Sequence, residues 1–169
     1  YEISGALGIK MAKPNQDVIV FVGDGSYLLH NSDIYSSVIY NKKLIIVVCD
    51  NGGHMVINRL QLAKGGKEYL CNLRAANASQ LQFVDFEAHA KSMGANAETV
   101  KSITDLEAAF ERAKKSDKTY VISIETHGYE WLDGTEYWES PTLEIGNSEA
   151  NKKALQEHMD GKKIQRKGV

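Results

Sequence analysis

Gly23-Asp24-Gly25-Ser26 and Asp50-Asn51-Gly52-Gly53 each set polar side chains among glycines, directly after an apolar, β-branched run. Residues 17–22 (DVIVFV) precede the first stretch and residues 44–49 (LIIVVC) the second. Both runs read as buried strands of a parallel sheet. In such sheets ligands bind beyond the carboxyl ends of the strands, where helix N-termini also point. There Asp24 can supply an anionic oxygen, Asn51 a neutral amide oxygen, and the Gly53 carbonyl a third. Three hard oxygens suit Mg²⁺, which wants about six and takes the rest from phosphates and water. Gly23 and Gly25 keep Cβ atoms out of the turn, and the Ser26 N–H and hydroxyl can bond a phosphate oxygen. The chain has no GxxxxGK[ST] element, so the charge that holds a diphosphate must come largely from the metal.

The segments around these stretches must position them. Residues 2–12 carry small and apolar residues at helical spacing despite Gly5 and Gly8, each of which weakens a helix by roughly 1 kcal/mol relative to Ala. Residues 14–17 form a turn into the first strand. Asn31 or Ser32 can cap a helix to about Tyr40, with Ile34, Val38 and Ile39 inward. Residues 54–62 read as a short helix, and the polar, aperiodic residues 65–82 as a long loop. Asp85 caps a helix that Gly94 stops. A weak strand over 98–101, a helix opened by a capping box at Thr104–Glu107 and running to Lys115, and a strand over 120–125 follow. Strands alternating with helices predict an α/β fold, a mostly parallel sheet with helices on both faces.

At 169 residues the chain fits one domain with a real core, and its 43% hydrophobic and 25% charged residues are ordinary for a soluble globular protein. The net charge of -2 gives no reason to expect nucleic acid as a partner. No apolar run approaches the roughly 20 residues that cross a bilayer, and no leader peptide is visible, so no membrane partner is expected. Cys49 reads as a small core residue and Cys71 as a loop residue without metal-ligand spacing. Together they point to a reducing, cytoplasmic setting rather than a disulfide framework. A start at Tyr1 rather than Met leads us to expect a processed or truncated product. We divide the chain into a domain over 1–147 and a basic, helix-prone, solvated tail over 148–169.

The paired stretches resemble the thiamine-diphosphate-binding motif, GDG followed after some 25–30 residues by Asn-Asn or Asp-Asn. Residues 1–8 (YEISGALG) look like the helix start after the segment that contacts the cofactor's aminopyrimidine, and the order of elements through Glu125 is similar to the diphosphate-binding domain of these enzymes. The resemblance implies thiamine diphosphate and Mg²⁺ as cofactors, with Asp24, Asn51 and the Gly53 carbonyl as metal ligands. It implies that Gly23, Gly25 and Ser26 line the diphosphate, and that His54, Met55 and Val56 run beneath the thiazolium. Within the superfamily the chain is most similar to the trihydroxycyclohexane-dione hydrolases of myo-inositol breakdown. Ile57–Gln61, Gly65-Gly66, Asn72-Leu73-Arg74 and Tyr137-Trp138 carry that likeness, while His54-Met55 departs from the Phe-Gly-Cys-like stretch expected there.

By the same resemblance the substrate is a small polyol diketone. The activating glutamate belongs to a separate pyrimidine-binding domain, met across the interface of a homodimer or homotetramer, and the chain is inactive alone. An acetolactate synthase-like carboligase or decarboxylase shares the motif. A non-catalytic assembly module with a vestigial site and an unrelated nucleotide-binding domain are the remaining alternatives. His54 is the candidate for proton handling, His30 can point at the cofactor, and Arg74 can meet a substrate polyol or carboxylate. Tyr129, Trp131, Tyr137 and Trp138 read as a buried interdomain or dimer patch.

Overall fold

The structure, a computed structural model, describes residues 1–73, 83–130 and 145–165. Among these, helices α1 (Glu2–Ala12), α2 (Asp24–Leu29), α3 (Ser32–Ile39), α4 (Met55–Ala63), α5 (Phe86–Ser92), α6 (Ile103–Lys115) and α7 (Glu149–Ile164) surround strands β1 (Ile19–Gly23), β2 (Ile45–Asp50), β3 (Asn96–Val100) and β4 (Tyr120–Glu125). The strands pair in parallel in the order β1-β2-β4-β3. β2 and β4 are central, so Ile45, Ile46, Val47, Val48, Val121 and Ile122 are almost wholly buried, which is why these runs are continuously apolar rather than alternating.

One face of the sheet packs Val20, Val22, Ile46, Val48 and Val121 against Ile3 and Leu7 of α1, Tyr27 of α2, Ile34 of α3, and Phe86 and Ala90 of α5. On the other face, Ile45, Val47, Ile122 and Ile124 pack against Ala109 and Ala113 of α6. The expected parallel sheet with helices on both faces is therefore present. On that second face, the edge strand β1 leaves Ile19 and Phe21 exposed. Among the described residues no helix is long and apolar enough to cross a membrane.

Local chemistry accounts for several element ends. The Asp85 carboxylate accepts from the Ala88 N–H at 2.9 Å, and Gly94 ends the segment with φ +84°. α6 starts earlier than expected. Ser102, not Thr104, caps it, because the extended Ser102 backbone brings its Oγ to the Asp105 N–H at 3.1 Å. Ile39 was expected inward but is exposed, since α3 turns Ile34 and Val38 toward the sheet instead. α7 is helical as expected but is not simply solvated. Ala154, His158 and Gly161 are buried along one face, and the Asn151 amide donates to the Lys64 carbonyl at 3.0 Å beyond the end of α4.

Gly8 lies exposed in α1, with open space where a Cβ would stand. Gly8→Ala is expected to stabilise the fold by roughly 0.5–1 kcal/mol through backbone entropy. A higher urea midpoint at unchanged m-value checks it, and a lower midpoint would refute it.

Candidate functional site

Register builds the site. Gly23 pairs with Cys49, so where β1 and β2 end side by side, one chain continues into Asp24 and the other into Asp50 and Asn51. The residues after Gly23 do not form the plain turn expected from their glycines. They open directly into α2, with Asp24 as its first residue and Gly23 as its extended N-cap. The Asp24 carboxylate, only 2% exposed, accepts from the Asn51 N–H at a long 3.5 Å. The tip of the Asn51 carboxamide lies 2.8 Å from the Gly53 carbonyl oxygen and 3.1 Å from Asp24 Oδ1. A nitrogen at that tip donates to both. That orientation satisfies every group in the cofactor-free protein; a half-turn of the amide would bring its oxygen there instead, to face a cation.

The electrostatics fit a cation as well. Burial pushes the Asp24 carboxyl above the ordinary carboxylate range, and the negative charge of Asp50 pushes it further. The N–H groups of Asn51, Gly25 and Gly53 pull it part of the way back. Asp50 itself is turned to its own loop, where Oδ1 accepts from the Gly52 N–H at 3.0 Å. Among the described residues no three His, Cys, Asp or Glu side chains are grouped to hold a metal. With the Asn51 amide turned, the oxygens brought together would be one carboxylate, one carboxamide and one backbone carbonyl, a hard set of the kind Mg²⁺ accepts.

The glycines are needed for close approach. A Cβ on Gly25 would stand 2.5 Å from Nδ1 of His54, so the imidazole rests directly on the α2 backbone. Gly52 and Gly53 have φ +87° and +141°, values that side chains other than glycine rarely adopt. Ser26 is half-buried in the first turn of α2. His54, Met55 and Val56 diverge: His54 is exposed against Gly25, Met55 is buried, and Val56 is 67% exposed on α4. His30 is exposed at the opposite end of α2 from Asp24. Arg74, Trp131, Tyr137 and Trp138 lie outside the described residues.

Some neighbours of the site escape a reading of the motif alone. Tyr27, fully buried, bonds the His89 Nδ1 at 2.9 Å and meets the Phe86 ring edge-on, and burial pushes its hydroxyl up to about 12. This fastens α2 to α5 just behind the acid. Gly128 lies so close to the Asn51 carbonyl and Met55 that a Cβ would fall 2.8 Å from the former. A glycine shortly after the last strand was the one available signal for that contact.

The model of the thiamine pyrophosphate enzyme C-terminal TPP-binding domain matches residues 1–124. The chain belongs to this family. It is 36% identical over 158 residues to a 3D-(3,5/4)-trihydroxycyclohexane-1,2-dione hydrolase of Halalkalibacterium halodurans, covering 92% of this chain and 25% of that protein. A hydrolase of the same name from Listeria monocytogenes is 37% identical over 159 residues, 93% of this chain and 25% of its own length. The chain thus spans about a quarter of the relatives it matches. Among solved structures, a thiamine diphosphate-dependent 4-hydroxybenzoylformate decarboxylase of Rhodococcus jostii superposes with a TM-score of 0.62 at 22% identity, covering 75% of this chain and 23% of that one. A benzoylformate decarboxylase of Polynucleobacter necessarius superposes at 0.56 with 26% identity, over 75% and 23% of the two chains. The parallel sheet seen here is the fold of thiamine-diphosphate-dependent enzymes.

In this TPP-binding domain Asp24 is a group whose ionisation opposes folding. Its raised carboxyl binds a proton more tightly folded than unfolded, so stability is greatest at low pH and falls as pH rises through the raised value. Asp24→Asn should therefore stabilise the cofactor-free protein at neutral pH by on the order of 1 kcal/mol, less whatever solvent screening removes. Urea titrations across pH check this. The gain should shrink as pH falls into the ordinary carboxylate range, and a loss of stability at neutral pH would refute it.

Proposed function

We propose that this chain binds thiamine diphosphate through Mg²⁺ as part of a hydrolase that cleaves a C–C bond of a cyclic 1,2-diketone of the trihydroxycyclohexane-dione type. The observation that carries the cofactor reading is the convergence of Asp24 Oδ1, the Asn51 carboxamide and the Gly53 carbonyl at adjoining strand ends. In this reading those three groups hold the metal, and Gly23, Gly25 and Ser26 line the diphosphate. Held there by those residues, thiamine diphosphate would supply carbanion-equivalent and electron-accepting chemistry at a substrate carbonyl. The protein's part is to hold the cofactor, exclude water from it and position proton donors. His54, exposed against Gly25, is the residue of this chain best placed to handle a proton near the cofactor; of the two that follow it, Met55 is buried and Val56 is the exposed side chain that can meet the thiazolium. The substrate class follows from the hydrolases that the chain resembles.

The rest of the active unit is proposed to come from a pyrimidine-binding domain that carries the activating glutamate, met across the interface of a cytoplasmic homodimer or homotetramer, so that this part alone is inactive. Exposed apolar side chains of Ile19, Phe21, Val56 and Ile57 support such a covered surface. A decarboxylating or carboligating reaction of the acetolactate synthase type is the second reading, favoured by structural neighbours named as decarboxylases.

Calorimetry on the full-length protein tests the cofactor reading. Thiamine diphosphate should bind only with Mg²⁺, and Asp24→Ala should weaken it at least about a hundredfold, the scale of losing a charged ligand. Undiminished binding by that variant would refute it, and failure of the wild type to bind would favour a non-catalytic module. Product analysis then separates the reactions: a ring-opened acid without CO₂ supports the hydrolase, and CO₂ release sinks it.

A further inference from the structure

A polar cluster stands behind the Gly53 carbonyl, on the loop between α4 and α5. The Glu68 carboxylate oxygen Oε1 accepts from Tyr129 Oη at 2.5 Å, from Asn58 Nδ2 at 3.0 Å and from Asn72 Nδ2 at 3.4 Å. Asn72 Nδ2 also donates to Tyr129 Oη at 2.6 Å. Asn58 and Asn72 are 0% and 4% exposed, while Tyr129 is 56% exposed, so the cluster at the junction of α4, the loop and the segment after β4 is buried on its asparagine side and open to water on its tyrosine side. Tyr69 and Leu70 of the same loop are 70% and 59% exposed, so their side chains do not anchor it through an apolar core.

The cluster is linked to the site through the backbone. Asn72 bridges Gly53 in antiparallel fashion, Leu73 N–H donates to the Gly52 carbonyl at 3.1 Å, and His54 N–H donates to the Cys71 carbonyl at 2.8 Å. The Gly53 carbonyl and the His54 N–H belong to one planar peptide unit and point in opposite directions. Holding that N–H on Cys71 therefore aims the Gly53 oxygen away from the loop, toward the Asn51 carboxamide 2.8 Å distant. Glycine at this position would otherwise turn freely, because it has no side chain to limit its dihedrals.

We infer that Glu68, with Asn58, Asn72 and Tyr129, is a positioning clasp that fixes the Gly53 carbonyl as a cation ligand and so sets the affinity for the metal. The inference rests on the cation reading of the strand-end oxygens. Glu68 is an anion in this role: the Tyr129 hydroxyl first, then the Asn58 amide, hold its carboxyl below the ordinary range. The clasp touches neither cofactor nor reacting atoms, and acts only by restricting one peptide plane.

The test is the Mg²⁺ concentration that half-saturates thiamine diphosphate binding to the full-length protein, followed by fluorescence, for E68A, E68Q, Y129F and D24A. E68A should raise it about tenfold, whereas E68Q, whose amide oxygen still accepts, should stay within about threefold of wild type. Y129F should raise it about threefold or more, and the E68A/Y129F double variant should be no worse than E68A, since both changes break the same node. A merely structural role would lower the melting temperature of E68A and leave the Mg²⁺ requirement of the folded protein unmoved. The clasp is overturned if E68A and Y129F both stay within about twofold of wild type while D24A loses binding. Y129F decides alone if E68A does not fold. D24A binding like wild type would instead remove the cation reading, and the clasp with it.

Discussion

Asp24 is a carboxylate almost wholly removed from water, with a second acid, Asp50, beside it and only partial help from backbone N–H groups. Two negative charges at the mouth of an apolar sheet oppose folding, and among the described residues no lysine or arginine is paired with Asp24. What lies beside it instead is the Asn51 carboxamide, whose nitrogen donates to Asp24 and to the Gly53 carbonyl and can turn to offer its oxygen. That combination is poor for an empty protein and good for a bound divalent cation, whose charge reverses the sign of every one of these interactions. The local instability and the binding capacity have the same origin.

The remainder of the fold serves to keep this unfavourable group from relaxing. Parallel pairing of β1 with β2 fixes the two strand ends in register, and both flank a core from which Val20, Val22, Ile46 and Val48 cannot easily slip. Tyr27, buried behind the acid and bonded to His89, fastens α2 to α5. Asp24 therefore has little room to turn outward into water. The backbone is fixed as well, at Gly52 and Gly53, whose positive φ angles are maintained by hydrogen bonds to residues 71 and 73.

Of the three oxygens a cation would draw in once the Asn51 amide turns, two are neutral, and one is backbone. A site of this kind keeps a small net charge when it meets a diphosphate, which brings its own negative oxygens. It also places the burden of specificity on conformation rather than on side-chain identity. The Gly53 carbonyl can serve only if its peptide plane is held, and that plane is held by a loop remote in sequence from both halves of the motif.

The sequence by itself determined the fold class, because continuous β-branched runs separated by helical periods have few other ways to bury their surface. It located β4 and α1 to the residue, since their ends coincide with strong local signals, and it singled out Asp24, Asn51 and Gly53 through their position after two such runs. It did not reveal that α2 begins at Asp24, because Gly-Asp-Gly-Ser reads locally as a turn and only packing of Tyr27 makes the short helix worthwhile. The buried face of α7 and the outward turn of Ile39 were likewise decided by what each helix finds to pack against. The meeting of Glu68, Asn72 and Tyr129 was illegible for a simpler reason: their partners lie up to 61 residues apart, and no local pattern encodes a contact at that range.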